Sequence, residues 1–201
     1  MTRRPRRKAE DTRAEILAVA ERLFGERGIA GCSIAHVAQA LSMSPANIFK
    51  HFHSKVALID AICQRKIDVM VGQIQTFDVK APAPERLQIA AERLMMTHIA
   101  SLDDTPYILE MIFVLSEHDS PCGALYKEMI DDLFHAIIQH GRAEGIYHCS
   151  ESREVSRTVA AAFAAVLHPV FLARQDPDEL IVQCRQLSAL VNAALQNPLV
   201  K

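Results

Sequence analysis

Asn47, Lys50, His51 and Lys55 lie within one short stretch and supply a carboxamide, two ammonium groups and an imidazole. A carboxamide can pair bidentately with adenine, and an ammonium can reach guanine or a phosphate oxygen. Ser44, Pro45 and Ala46 come just before them, a capping hydroxyl followed by two small apolar groups that suit a thymine methyl. His51 and Lys55 have the chemistry of phosphate contacts. Lys55 also stands at a helix start, where free backbone N–H groups attract anions. Ser33 is a capping residue whose hydroxyl can touch a nucleic-acid backbone as well. Such a set suits contacts with a nucleic acid more than bond making.

Other chemistry finds less support. Nine His residues invite a metal reading, but His51 and His53 are two apart, and His135 and His140 are five apart. Two ligands on one helical face need a spacing of three or four. The five Cys (Cys32, Cys63, Cys122, Cys149 and Cys184) are scattered, so neither a disulfide framework nor a zinc ribbon follows. Only Cys63, near Arg65 and Lys66, has a neighbourhood that would activate a thiol. No nucleophile elbow, Walker loop or dinucleotide fingerprint occurs. No catalytic residue, metal or cofactor is expected.

The positioning elements read as helices. Gly is rare, aromatic residues are 5% of the chain, and Ala, Leu, Ile, Val and Met are abundant. Thr12-x-x-Glu15 reads as a capping box, and Ile16, Leu17, Ala20, Leu23 and Phe24 recur behind it at helical spacing. Pro follows a capping residue at Ser44-Pro45, Thr105-Pro106, Ser120-Pro121 and Asp176-Pro177, which suits the first helical position. The pattern predicts nine helices: 12–27, 33–40, 44–51, 54–78, 84–102, 105–118, 120–143, 151–173 and 177–196. No stretch alternates with period two, so no strand is expected. Ile34, Val37 and Ala38 form the inner stripe of the first short helix after Cys32, and Ile48 and Phe52 that of the second. The tight turn at Leu41-Ser42-Met43 forces the two to cross steeply, so the second can protrude.

Ser33-Ile34, Val37-Ala38, Leu41, Met43-Ser44, Ile48-Phe49, His51-Phe52, Ser54-Lys55 and Leu58 together resemble the helix-turn-helix of the TetR (tetracycline-repressor) family. Three positions depart from it. Ser42 stands where the family has Gly, Phe49 replaces the Tyr whose hydroxyl can meet a phosphate, and Pro45 replaces a Lys. The resemblance implies an all-α fold, a dimer on near-palindromic operators, and usually repression. It places Ser44, Pro45, Ala46, Asn47 and Lys50 in the major groove.

Charge agrees with a DNA-facing N-terminus. Residues 1–55 hold ten Lys/Arg and five Asp/Glu, whereas the whole chain has a net charge of -2. The expected domains are a basic arm at 1–11, a helix-turn-helix domain at 12–55 and a helical effector-binding and dimerisation domain at 56–201. Val155, Val159, Ala162 and Val166 of one late helix, with Leu187, Leu190, Val191 and Ala194 of the last, are the candidate dimer interface, packing as a four-helix bundle in a homodimer. Met95, His98, Met111, Phe113, Phe134, Phe163 and His168 are candidates for a mostly apolar effector pocket. Pro169 should kink its helix and free a carbonyl beside it. No signal peptide is legible, and the apolar run Thr158 to Ala173 is shorter than the roughly 20 residues that span a bilayer. A cytoplasmic protein with no membrane partner is expected. The sequence reading is therefore a ligand-responsive DNA-binding regulator, with helix 54–78 as its hinge. Two alternatives stay open: a helical acid–base or metal enzyme using clustered His, and a helical adaptor that has lost DNA binding.

Overall fold

The computed structural model describes residues 9–74, 80–149 and 152–197, and among these every regular element is an α-helix. In chain order they are α1 (Ala9–Arg27), α2 (Ile34–Ala40), α3 (Pro45–Phe49), α4 (Lys55–Ile74) and α5 (Ala83–Asp104). There follow α6 (Ile108–Ser116), α7 (Pro121–Ala143), α8 (Ser152–Leu167), α9 (Pro169–Leu172) and α10 (Pro177–Gln196). Residues 1–8 of the basic arm lie outside the described residues.

Two compact units divide the chain: Met1–Lys66 with Thr105–Gly123, and Ile67–Asp104 with Ala124–Lys201. A boundary between residues 55 and 56 misses this division in two ways. Leu58, Ile59 and Ile62 of α4 are buried and belong to the first unit, and so do Tyr107, Ile108, Met111 and Leu115. The Phe24 and Tyr107 rings meet edge to face, 5.7 Å between centroids. The first unit therefore completes its core with a segment that sequence spacing assigns elsewhere.

Local rules account for most helix ends. Ser33, Ser44 and Ser54 each accept a backbone N–H three residues on, from His36, Asn47 and Ala57. Asp176 accepts from Asp178 and Glu179. Gly28 and Gly145, both at positive φ, follow α1 and α7. Two expected starts are corrected. α1 already covers Ala9–Asp11, so Thr12 is not its N-cap. α6 begins at Ile108, because Thr105 and Pro106 form a turn closed by Ile108 N–H on the Thr105 carbonyl, and the Thr105 hydroxyl accepts from Lys66.

The second unit packs α5 against α8, α9 and α10. Leu87, Ala91, Leu94, Phe134, Ile138, Phe163, Leu180 and Cys184 are all fully buried there. The expected helix 151–173 is two helices. His168 is extended (φ -75, ψ 126), and its ring accepts from Val170 N–H at 3.3 Å, so α9 starts anew behind it. Pro169 has no N–H with which to continue the ladder, and a full break replaces the expected kink. Arg153–Leu172 is apolar and long enough to cross a membrane by composition alone. The chain breaks inside it, however, and Val159, Phe163, Val166, Leu167 and Leu172 are buried in the core of this unit.

Ser42 is the one non-glycine residue at positive φ (53°) among the described residues. Its N–H donates to Gln39, and Met43 N–H reaches back to Ala38 at 2.9 Å, which closes the turn between α2 and α3. A side chain in the left-handed region costs roughly 1–2 kcal/mol that glycine avoids. Ser42→Gly is expected to raise unfolding free energy by about 1 kcal/mol, measured by denaturant titration; an unchanged or lower midpoint would contradict this account of the turn.

Candidate nucleic-acid interface

α3 is one and a half turns long, and its faces divide cleanly. Ile48 is fully buried, while Ser44, Pro45, Ala46, Asn47, Phe49 and Lys50 are exposed. α3 packs on α2, where Ile34, Val37 and Ala38 are buried, and Phe52 just after α3 is buried too. Ser44 caps the helix, Pro45 occupies its first position, and Asn47 and Lys50 share the outer face, with Lys50 Nζ 3.4 Å from Asn47 Oδ1. This places a carboxamide, an ammonium and a small apolar surface together on the exposed face of a short helix, a combination suited to base edges and phosphates.

Neighbouring groups hold this face from behind. Arg13 of α1 donates to the His51 carbonyl at 3.1 Å, and its guanidinium lies 4.2 Å from the Phe52 ring centroid. His51 itself is half-buried. Ser33 and His36 form a reciprocal capping box: His36 N–H donates to the Ser33 hydroxyl, and Ser33 N–H to His36 Nδ1, both at 3.2 Å. A histidine in the position usually held by Glu or Gln hid this box from sequence reading.

Lys55 departs from expectation. Its ammonium donates to the Ile29 carbonyl, and the residue is half-buried. It is a brace on the loop between α1 and α2 rather than an outward phosphate clamp. The same loop receives Glu110 of α6, whose Oε2 accepts from Ile29 N–H at 2.7 Å and from Ala30 N–H at 3.2 Å. The Glu110 carboxylate also packs where a Cβ on Gly28 would lie, 2.9 Å away, so that position has no room for a side chain as well as a positive φ. Sequence reasoning missed Glu110 because it lies 80 residues from the backbone it holds, and no spacing rule reaches that far.

The candidate pocket residues divide between the two units. Met111 is buried in the first unit, and Phe113, 63% exposed there, lines an open cleft of about 500 Å³ with Ile29, Val56 and Ile59. These two belong to the first unit and the other five to the second. In the second unit Met95, Phe134 and Phe163 are fully buried core, with the two Phe rings stacked at 5.0 Å. His98 is the polar exception. It is 2% exposed, and its Nε2 lies 3.0 Å from the Tyr126 hydroxyl. Burial, and then the nearness of His168, push its pKa down to about 4, opposed by the Leu167 carbonyl. Its Nδ1 is buried and makes no hydrogen bond of normal geometry. Burial also raises the Tyr126 pKa, so two neutral groups meet here.

The dimer candidates separate by face. Val159, Val166 and Val191 are core, while Val155 and Leu187 are half-buried against it. Ala162, Leu190 and Ala194 point outward, beside the exposed Ala161, Ala165 and Val182. Val159, Val166 and Val191 thus turn inward, and a stripe of Ala residues with Leu190 and Val182 turns out, an assignment that apolar spacing alone leaves open.

Residues 16–62 match the model for bacterial regulatory proteins of the tetR family, and residues 83–188 match that for a tetracyclin repressor-like C-terminal domain. Over 62 residues the chain is 37% identical to the HTH-type transcriptional regulator TtgR of Pseudomonas putida, a match covering 31% of this chain and 30% of that protein. Over 54 residues it is 39% identical to the HTH-type transcriptional regulator UidR of Escherichia coli, 27% of this chain and 28% of that one. The chain thus spans less than a third of the curated relatives it matches. The fold as a whole is similar to a TetR-family transcriptional regulator from Pectobacterium atrosepticum, with a TM-score of 0.73, 19% identity, and 96% and 98% of the two chains covered. It is similar as well to Thermus thermophilus FadR, a transcriptional repressor solved with lauroyl-CoA, with a TM-score of 0.66, 20% identity, and 94% and 96% covered.

Two outcomes follow from these contacts. Glu110→Ala is expected to lower unfolding free energy by about 1–3 kcal/mol, because two backbone N–H groups lose a charged acceptor; a denaturation midpoint equal to wild type would refute the clamp. His98 has a folded pKa below the unfolded value, so the unfolded chain binds the proton first. Stability is therefore greatest above pH 6.5 and declines as pH falls toward about 4. The full span is worth about 3 kcal/mol. Denaturant titrations from pH 7 to 4 should show His98→Gln flattening this decline, and an equally steep variant would remove His98 as its cause.

Proposed function

This chain belongs to the TetR family of bacterial transcriptional regulators, and from that premise we propose that it is a repressor released from a near-palindromic operator when a small molecule binds the second unit. The observation that carries the reading is the division of α3, with Ile48 fully buried and Pro45, Ala46, Asn47 and Lys50 exposed. Asn47 reads a base, Lys50 takes a phosphate or guanine, and Pro45 and Ala46 meet a thymine methyl. Ser33, Ser44 and His51 flank them on the DNA backbone, and residues 1–8 extend the contact as a basic arm.

Two copies act together, their reading helices about 34–36 Å apart to match one DNA turn. Each copy contributes the outward stripe of Ala162, Leu190 and Ala194, where small residues let helices approach closely in a four-helix bundle. The effector is mostly apolar and meets the buried His98 and Tyr126 pair with His168 as polar neighbours. FadR of Thermus thermophilus, of the same fold, holds lauroyl-CoA, which supports an apolar effector class here. Effector binding favours a state with altered spacing of the reading helices, and operator affinity falls by population shift. The protein works in the cytoplasm, where its DNA is, and uses no cofactor.

Selection of bound DNA from a random pool, followed by substitution, tests the assignment. Asn47→Ala should relax preference at one base position by about 1–3 kcal/mol. Lys50→Ala should weaken all sequences alike and reduce the salt slope by about one. Lys55→Ala should lower the stability of the unit and leave that slope unchanged. Recovery of no palindromic site, or a salt slope carried by Lys55 rather than Lys50, would overturn the proposed contacts.

A further inference from the structure

Cys63 on α4 and Cys122 in the first turn of α7, 59 residues apart in sequence, are joined as a disulfide with their Cα atoms 6.4 Å apart. That separation is one a disulfide spans without backbone movement. Both residues belong to the unit that carries α3. Cys122 is buried, while Cys63 is partly exposed. The remaining cysteines are free, and burial raises the thiol pKa of both Cys32 and Cys184. Proteins that work on DNA inside a cell meet a reducing thiol pool, and disulfides there are usually transient, catalytic or redox-sensing.

We propose that Cys63 and Cys122 form a reversible redox site whose substrate is a hydroperoxide, and that its oxidation tightens operator binding. This rests on the DNA-binding reading above. The Cys63 thiolate attacks the terminal oxygen of the hydroperoxide, giving a sulfenic acid and an alcohol. The Cys122 thiolate then attacks that sulfur and displaces hydroxide, which takes the released proton and leaves as water. The balance is two thiols and one hydroperoxide to one disulfide, one alcohol and one water. A small dithiol reverses the bond: one of its thiolates attacks the accessible Cys63 sulfur and Cys122 departs as the thiol, then the second dithiol sulfur attacks the first, closing a cyclic disulfide and releasing Cys63 as the thiol.

Asp60 keeps the pair within reach when the bond is open. Its Oδ1 accepts from the Ser120 hydroxyl and from Cys122 N–H, the latter at 3.1 Å, so the start of α7 stays docked on α4. The disulfide converts that docking into a covalent tie. Between the tied points lies α6, whose Glu110 clamps the loop entering α2. Tying this segment down removes freedom that the reduced chain must lose on binding DNA, and ordering before binding raises affinity.

The test uses the full chain, oxidised with tert-butyl hydroperoxide or reduced with dithiothreitol. Peptide mass mapping after alkylation should find Cys63 linked to Cys122 only in the oxidised sample, and the link should disappear on reduction. Fluorescence anisotropy on the selected palindrome at fixed salt should show the oxidised form binding about three- to tenfold tighter. Cys63→Ser and Cys122→Ser should each bind as reduced wild type does whatever the treatment. The comparison of oxidised with reduced wild type decides the question even where a variant folds poorly. A missing Cys63–Cys122 link, or equal or weaker affinity on oxidation, would overturn the proposal. Binding of no DNA by either form would overturn the regulatory reading and the affinity half with it, while the mass map would still decide whether the redox site exists.

Discussion

A five-residue helix cannot hold itself together in water, and α3 is that short. Its existence depends on one side chain, Ile48, reaching full burial where α3 packs on α2. The exposed face of Asn47 and Lys50 is a consequence of that anchor. Ser44 and Pro45 lower the cost of starting the helix, and the left-handed Ser42 turns the chain so that Ile48 points inward. A change that moves Ile48 therefore moves every outward group on α3 with it.

That anchor sits in a unit assembled from two distant stretches of chain. α6 contributes Tyr107, Ile108, Met111 and Leu115 to burial, and its Glu110 holds the backbone of Ile29 and Ala30. Lys55 grips the Ile29 carbonyl in the same loop. Opposite charges thus satisfy adjacent donor and acceptor groups of one short connection. The loop leading into α2 is thereby fixed by side chains from α4 and α6, so its geometry is sensitive to whatever displaces either helix.

In the second unit the decisive local event is the break at His168. α8 would run on as one apolar helix if Pro169 could donate to its ladder. Instead the imidazole of His168 caps α9, and His168 lies close enough to His98 to lower its pKa. A neutral His98 against a neutral Tyr126 is a polar pair in an otherwise apolar core. The Nδ1 of His98 is buried as well and makes no hydrogen bond of normal geometry.

Sequence by itself determined the helical class, most helix ends and the inner and outer faces of α2 and α3. Those rest on signals within one or two turns: caps, Pro at first positions, Gly after last ones, and the spacing of apolar side chains. Only the tertiary structure decided which unit α6 joins, that Lys55 faces inward, that Glu110 clamps a loop 80 residues away, and that Cys63 meets Cys122. It likewise decided that Val159, Val166 and Val191 pack inside while Ala162, Leu190 and Ala194 turn out. A helix with apolar residues on more than one side carries no record of which side its neighbours will cover. That choice is made by contacts between residues far apart in the chain, which no local pattern encodes.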